Sequence, residues 1–182
     1  MHVFFIGTAF GVETLGYVSV VLSVLYLPVT VVSSAIKDVF RQRAAIEIAT
    51  DGNCRTTYTR LLLPLSGMAA IVFGIVYLIP EAFYTLLLGE GWGVLRSYIF
   101  VLAPMFALNF VSMSLGGILI IAGKTHVALM WQVSTLAATC LALGAGTWIF
   151  NDLLTTLVLF SAARSIAYVI YMYLSYRFAK TY

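Results

Sequence analysis

The stretch SYIFVLAPMFALNFVSMSLGGILIIAG, residues 97–123, contains no aspartate, glutamate, lysine or arginine. A helix needs about 20 mostly apolar residues to cross the hydrocarbon core of a bilayer, and this run exceeds that length. Outward from it, uncharged runs also cover 61–80 and 14–36 on the N-terminal side and 125–151 on the C-terminal side. A fifth, 153–176, is broken only by Arg164. The chain is 62% hydrophobic and 9% charged, with a mean hydropathy of +1.03. A soluble protein of this size would lack the polar surface to cover itself. The pattern predicts an all-α, polytopic membrane helix bundle, residues 1–182 forming one membrane domain. About five transmembrane helices are expected, with a partial one ahead of them.

Charge in the gaps predicts how the bundle sits. Lys37, Arg41, Arg43, Arg55 and Arg60 fall in the 37–60 loop, Lys124 in the third gap, and Arg177 and Lys180 near the C-terminus. In the alternate gap 81–96 the one basic residue is Arg96, beside Glu81 and Glu90, and Asp152 stands in the fourth gap. Cytoplasmic loops hold the excess of lysine and arginine, so the 37–60 loop and the C-terminus are expected in the cytoplasm. Glu13 and the Trp92 loop are expected outside. The net charge of +3 thus reflects topology and points to no nucleic-acid partner. Residues 1–12, MHVFFIGTAFGV, are apolar but cover only about two-thirds of a span, with no basic leader and no small-residue cleavage site. They read as the outer end of a helix whose beginning lies upstream, the alternative being a short N-terminal tail.

Between spans, 37–60 is expected to be a helical extension followed by a connector that turns at Asp51-Gly52-Asn53. Residues 80–97 are expected to form a short interfacial helix after Pro80. A turn through Gly89, Gly91 and Gly93 then follows, with Tyr84 and Trp92 at headgroup level. Catalysis has no visible home. Cys54 and Cys140 lie in different environments, His2 and His126 are far apart, and no metal cluster, nucleophile triad or phosphate-binding glycine loop occurs. No enzyme activity, metal or cofactor is expected.

The informative chemistry is the spacing of polar residues within the spans. In the first, Gly16, Ser19, Ser23, Tyr26, Thr30 and Ser34 recur at three- and four-residue steps and share a helix face. Pro28 lies on another face and predicts a bend. Tyr98, Asn109, Ser112 and Gly116 share a face of the third span; Gln132, Thr135, Thr139 and Gly146 share one of the fourth. Such stripes have two readings: helix-packing surfaces, as Ala138, Ala142 and Gly146 would form, or the lining of a polar cavity.

In the fifth span Ser161, Arg164, Tyr168, Tyr171 and Ser175 fall within about a quarter of the helix circumference. Leu157 occupies that face one step earlier, with Thr156 to its side. Arg164 stands roughly 16 Å along the axis from Leu153, near the bilayer centre. An arginine there costs about 2.5–3.5 kcal/mol on insertion scales, so it rarely faces lipid. Either it is tied to carbonyls or hydroxyls of a neighbouring helix, or it lines a water-filled cavity with tyrosines around it. No carboxylate sits at matching depth in the sequence.

The order of several short motifs resembles a known family. Gly16-Tyr17, Leu27-Pro28, Ser33-Ser34-Ala35-Ile36 and Val39-Phe40 resemble the opening of the C-terminal half of bacterial polysaccharide flippases. These are the O-antigen (Wzx-type) translocases of the MATE-like multidrug/oligosaccharidyl-lipid/polysaccharide exporter superfamily. Leu88-Gly89-Glu90-Gly91-Trp92, Leu102-Ala103-Pro104 and Gly123-Lys124 follow in the expected order. The resemblance implies a two-lobed transporter of the bacterial inner membrane, of which these spans would be most of the second lobe, with the N-terminal lobe or a partner chain supplying the first. It further implies export of an O-antigen or exopolysaccharide unit as an undecaprenyl-pyrophosphate-linked oligosaccharide, among membrane lipids, by alternating access. Candidate substrate-binding residues are Arg164, Tyr168, Tyr171, Ser23, Tyr26, Thr30, Asn109 and Gln132. Rival expectations are a lipid II-type flippase, a multidrug exporter with an acidic cavity, an integral membrane glycosyltransferase, and a non-transporting membrane subunit.

Overall fold

The computed structural model describes residues 2–88 and 92–180. Their order is α1 (His2–Asp51), α2 (Arg55–Leu78), α3 (Glu81–Leu88), a single 3₁₀ turn (Trp92–Val94), α4 (Leu95–Ser114), α5 (Ile118–Ile121), α6 (Thr125–Ala145) with a π-turn (Gly146–Phe150), and α7 (Leu153–Lys180). The fold is an all-α, multi-pass membrane bundle, five of whose helical segments are long and apolar enough to span. Those segments coincide with the five uncharged runs.

Helix boundaries follow local chemistry. Gly11 (φ 85°, ψ 169°) separates a first helical piece from the long one that follows, a conformation open to glycine. Pro28 lies inside α1 with helical backbone through it, and Gly11 is the residue of α1 with non-helical φ/ψ. The extension to Asp51 and the turn at Gly52 (φ 70°) match expectation. Glu47 then reaches across that turn. Its two carboxylate oxygens accept the N–H groups of Thr56 (3.0 Å) and Thr57 (2.9 Å), capping α2 from α1. Asp152 caps α7 in the ordinary way, accepting the Thr155 N–H (2.8 Å) and hydroxyl (2.6 Å), and these bonds hold its carboxyl below the usual carboxylate range. The short helix after Pro80 is present as α3. The Tyr84 and Trp92 side chains and residues 89–91 lie outside what the structure describes.

The third run departs from a plain spanning helix. It breaks over Leu115–Gly117, where Gly117 takes φ 109°, and resumes as the single turn α5. Only glycine enters that region without strain.

α4 is the centre of the bundle. Of its apolar window 67% is buried, against 17% for α2 and 11% for α6. α1, α2 and α7 pack along it, whereas α6 packs chiefly on α7 and barely meets α1. Hydroxyls from three neighbours bond carbonyls of α4: Ser33 to Phe110 (3.3 Å), Ser161 to Val101 (2.7 Å) and Tyr77 to Phe100 (2.8 Å). At the basic end α1, α2 and α7 close over a cluster of Phe40, Tyr58 and Tyr176, with the Tyr58 hydroxyl bonded to the Met172 carbonyl (2.8 Å). Cys54 is buried beneath it; burial, with a contribution from the Glu47 charge, pushes its thiol up to about 11.

Of the small residues expected to form a packing ladder on the fourth span, Ala138 lies exposed and Gly146 alone is buried. Gly146 packs so closely on α7 that an added side-chain carbon would lie 2.6 Å from Thr156 Cα. Gly146→Ala is therefore expected to destabilise the α6–α7 pair by about 1–3 kcal/mol, as overpacking does. Thermal unfolding of the purified protein in detergent checks this; an unchanged midpoint would contradict the packing.

Candidate functional site

Because α6 leans on α7 and leaves α1, a cleft opens between α1 and α6, floored by α4 and α7. It is made of two cavities. The larger, of about 700 Å³, is bounded by Ser19, Ser23, Tyr26, Asn109, Gln132, Thr139, Arg164 and Tyr168 among apolar neighbours. The smaller, of about 360 Å³, lies toward the basic end and adds Lys37, Ser112, Gly116, Gly117, Trp131, Thr135 and Tyr171. Tyr26, Asn109, Gln132, Arg164 and Tyr168 border both, so the two are continuous. From Ser19 to Lys37 the cleft follows α1 for roughly 27 Å, most of a bilayer's hydrocarbon thickness.

The structure thus brings together Ser23, Tyr26, Asn109, Gln132, Arg164, Tyr168 and Tyr171, from four helices. Thr30 lines neither cavity; its hydroxyl turns back on the carbonyls of Tyr26 (3.0 Å) and Leu27 (2.9 Å) in its own helix.

The expected stripes divide in the same way. On α7 the middle of the stripe faces the cleft, while Ser161 is buried and bonded to α4 and Ser175 is buried in the core. In the third span, Asn109 and Ser112 on α4 and Gly116 in the break after it reach the cleft. Tyr98 instead borders a separate cavity at the opposite end, with Glu81, Arg96 and Asp152. Spacing along a helix fixes the direction a side chain leaves the axis, and crossing neighbours decide what it meets.

Arg164 decides between its two expected environments. It donates to the hydroxyl of Tyr168, one turn along its own helix, at 2.6 Å, and its guanidinium lies 5.0 Å from that ring's centre. It borders both cavities, and of its five N–H donors one is bonded to Tyr168 among the described residues. Among the described lining residues none is acidic, so Arg164 and Lys37 set the sign of the field.

Lys37 and Trp131 are lining residues that spacing had not singled out. Lys37 was legible: it stands about three turns beyond Tyr26, on the same face.

Fold and cleft together define a class: a multi-pass helical membrane protein with a polar, cationic cleft along one side of the bundle. In comparisons with known proteins, no family model, no curated protein and no solved structure matches the chain.

A hydrated cleft and a lipid-facing surface differ in thiol chemistry, since charged reagents require water. With Cys54 and Cys140 replaced by serine, Ser23→Cys and Gln132→Cys are expected to react in membranes with a charged methanethiosulfonate. Ile71→Cys is expected not to, although Ile71 on α2 is 65% exposed on the protein surface. Equal reactivity at all three positions would mean that the cleft is no wetter than the bundle exterior.

Proposed function

We propose that this chain is a transport lobe that carries an anionic, lipid-linked glycan from one leaflet to the other. The observation that carries this is the lining of the cleft: two cations, Arg164 and Lys37, with amides, hydroxyls and tyrosines, and no acidic residue among those described. A diphosphate-linked oligosaccharide asks for that set. Guanidinium and ammonium groups hold phosphate; Asn109, Gln132 and Ser23 exchange hydrogen bonds with sugar hydroxyls; Tyr26, Tyr168 and Tyr171 offer ring faces. The motif resemblance to O-antigen and exopolysaccharide flippases supports the same substrate class, with an undecaprenyl-pyrophosphate carrier in the bacterial inner membrane. A cation or drug exporter would call for carboxylates in the same place.

The lipid chain would stay in the bilayer while the head passes along the cleft, so no covalent bond is made or broken. A cleft with an arginine at mid-depth is unstable against lipid, and a second membrane lobe or partner chain would cover it and rock against this one. The basic 37–60 segment and the C-terminus would face the cytoplasm.

Two measurements test this. In cells whose surface glycan depends on the transporter, Arg164→Ala is expected to reduce export per folded molecule at least about tenfold while membrane abundance is kept, since removing the charge eases insertion. Arg164→Lys, which keeps the charge but not the planar fork, is expected to retain part of the export. Unchanged export per molecule in the alanine variant removes Arg164 from transport.

For orientation, Asn53→Cys and Glu90→Cys in a Cys54→Ser background are expected to label from opposite sides with an impermeant reagent, Asn53→Cys from the cytoplasm. Labelling of both from outside contradicts the assignment.

A further inference from the structure

The basic end of the cleft has a construction of its own. Lys37, the first charged residue after the apolar run 14–36, borders the smaller cavity at the end of that run. One turn further on α1, Arg41 lies across the broken third span: a side-chain carbon at Gly117 would come within 2.7 Å of Arg41 Nε. The break itself turns backbone toward the cavity, which both Gly116 and Gly117 line. The Gly117 N–H reaches the Tyr171 hydroxyl only at 3.5 Å, a long contact that leaves the donor largely available. Trp131 and Tyr171, with ring centres 6.2 Å apart, form the facing wall.

An ammonium, a backbone N–H in a turn and a phenol hydroxyl line one concavity, with no acidic residue among the described lining, and the Arg41 guanidinium packs against the same turn at Gly117. That donor set matches phosphate oxygens. Arg164 borders the same cavity where it joins the larger one, so the two sets of donors adjoin.

We infer that the basic end of the cleft is a phosphate-binding vestibule, in which Lys37, Arg41, Tyr171 and the Gly116–Gly117 turn capture the phosphate or diphosphate of a ligand before it reaches Arg164. Its place in a loading order rests on the transport reading above; its affinity for phosphate does not. The positive φ of Gly117 and the closeness of Arg41 explain why glycine stands there, since any side chain would both strain the turn and push the guanidinium aside.

The test is calorimetric titration of the purified full chain in nanodiscs of neutral lipid, with inorganic pyrophosphate in one arm and farnesyl diphosphate in the other. Saturable binding is expected. Lys37→Ala and Arg41→Ala should each weaken it by about tenfold or more, the usual effect of losing one charged hydrogen-bond partner. Arg41→Lys should keep part of the affinity and guards against a folding defect, as does an unchanged elution volume for each variant. Arg60→Ala removes an exposed basic residue outside the cavity and should change affinity less than about twofold.

In a protein retaining Trp131 as its one tryptophan (Trp92→Phe, Trp148→Phe), the titration should also shift the emission, placing the ligand beside that ring. Farnesyl diphosphate binding about tenfold tighter than pyrophosphate assigns the site to a lipid headgroup, and equal affinities assign it to the free anion. No binding in either arm, or a loss with Arg60→Ala as large as with Lys37→Ala, overturns the vestibule. Binding that survives while export fails to depend on Arg164 keeps the phosphate site and removes the transport role.

Discussion

In hydrocarbon no water takes up a free amide or carbonyl, and each one left without a partner costs several kcal/mol. The constraint explains why the apolar runs are helical nearly end to end and, more usefully, where they are not. The third span leaves its helix at Leu115–Gly117, and the groups released there are largely re-bonded: Gly116 N–H to the Met113 carbonyl (3.1 Å), Ile120 and Ile121 N–H to the Gly117 carbonyl (3.0 Å each), and Gly117 N–H more loosely to Tyr171. The break also borders the smaller cavity rather than the lipid surface. Irregular backbone in a membrane is tolerated where it lines a cavity, so the break and the cleft are two aspects of one arrangement.

The same constraint gives α4 its role. Serine or tyrosine hydroxyls on α1, α2 and α7 each bond a carbonyl of α4. In membrane bundles such bonds average about 0.6 kcal/mol, too little to hold a fold together. Their consequence is registry. Ser33 on α1 and Ser161 on α7 fix the heights of their helices against α4, and Tyr26, Asn109 and Arg164 thereby meet at one level of the cleft. A helix slid by one turn, about 5.4 Å, would separate them. α6, held mainly through α7 and the tight seat of Gly146 on Thr156, is the wall least bound to the rest.

How much of this the residues declare in advance depends on which physical term acts. Span positions follow from hydrophobic run length alone, and all five were legible. Cleft residues followed from three- and four-residue spacing, which placed Ser23, Tyr26, Asn109, Gln132, Arg164, Tyr168 and Tyr171 on faces that do converge. Thr30 failed because its hydroxyl found an acceptor within its own helix, a competition that spacing does not register. Ser161 and Ser175 take the other of the two readings, packing surface, because stripes continue past the point where helices cross, and Tyr98 lies at a separate cavity. The Gly116–Gly117 break was hidden in the run whose lack of charge made it the plainest span, since glycine inside a membrane run reads equally as close packing or as a turn. Lys37 was counted as topology and not as the next step of the α1 stripe, though it is both.

A carboxylate beside Arg164 would neutralise it and relieve much of the penalty of placing it in the bundle, but it would also consume the donors a ligand could use. Tyr168 is a different kind of partner. Its ring and hydroxyl hold the guanidinium in place without cancelling its charge, so the positive potential stays directed into the cleft. The energetic consequence is a site that remains under-satisfied until an anion arrives, with Lys37 and Arg41 extending the same sign toward the basic end. On the transport reading, that gradient lies along the path of the headgroup, and the ligand's own charge supplies what the protein leaves out. α6 also exposes Leu129, Met130 and Val133, so the helix that bears Gln132 in the cleft carries an apolar outer surface compatible with lipid. An amphiphile whose head enters the cleft while its chain stays at that outer surface satisfies both at once, whereas a wholly water-soluble ligand would leave the apolar surface unused.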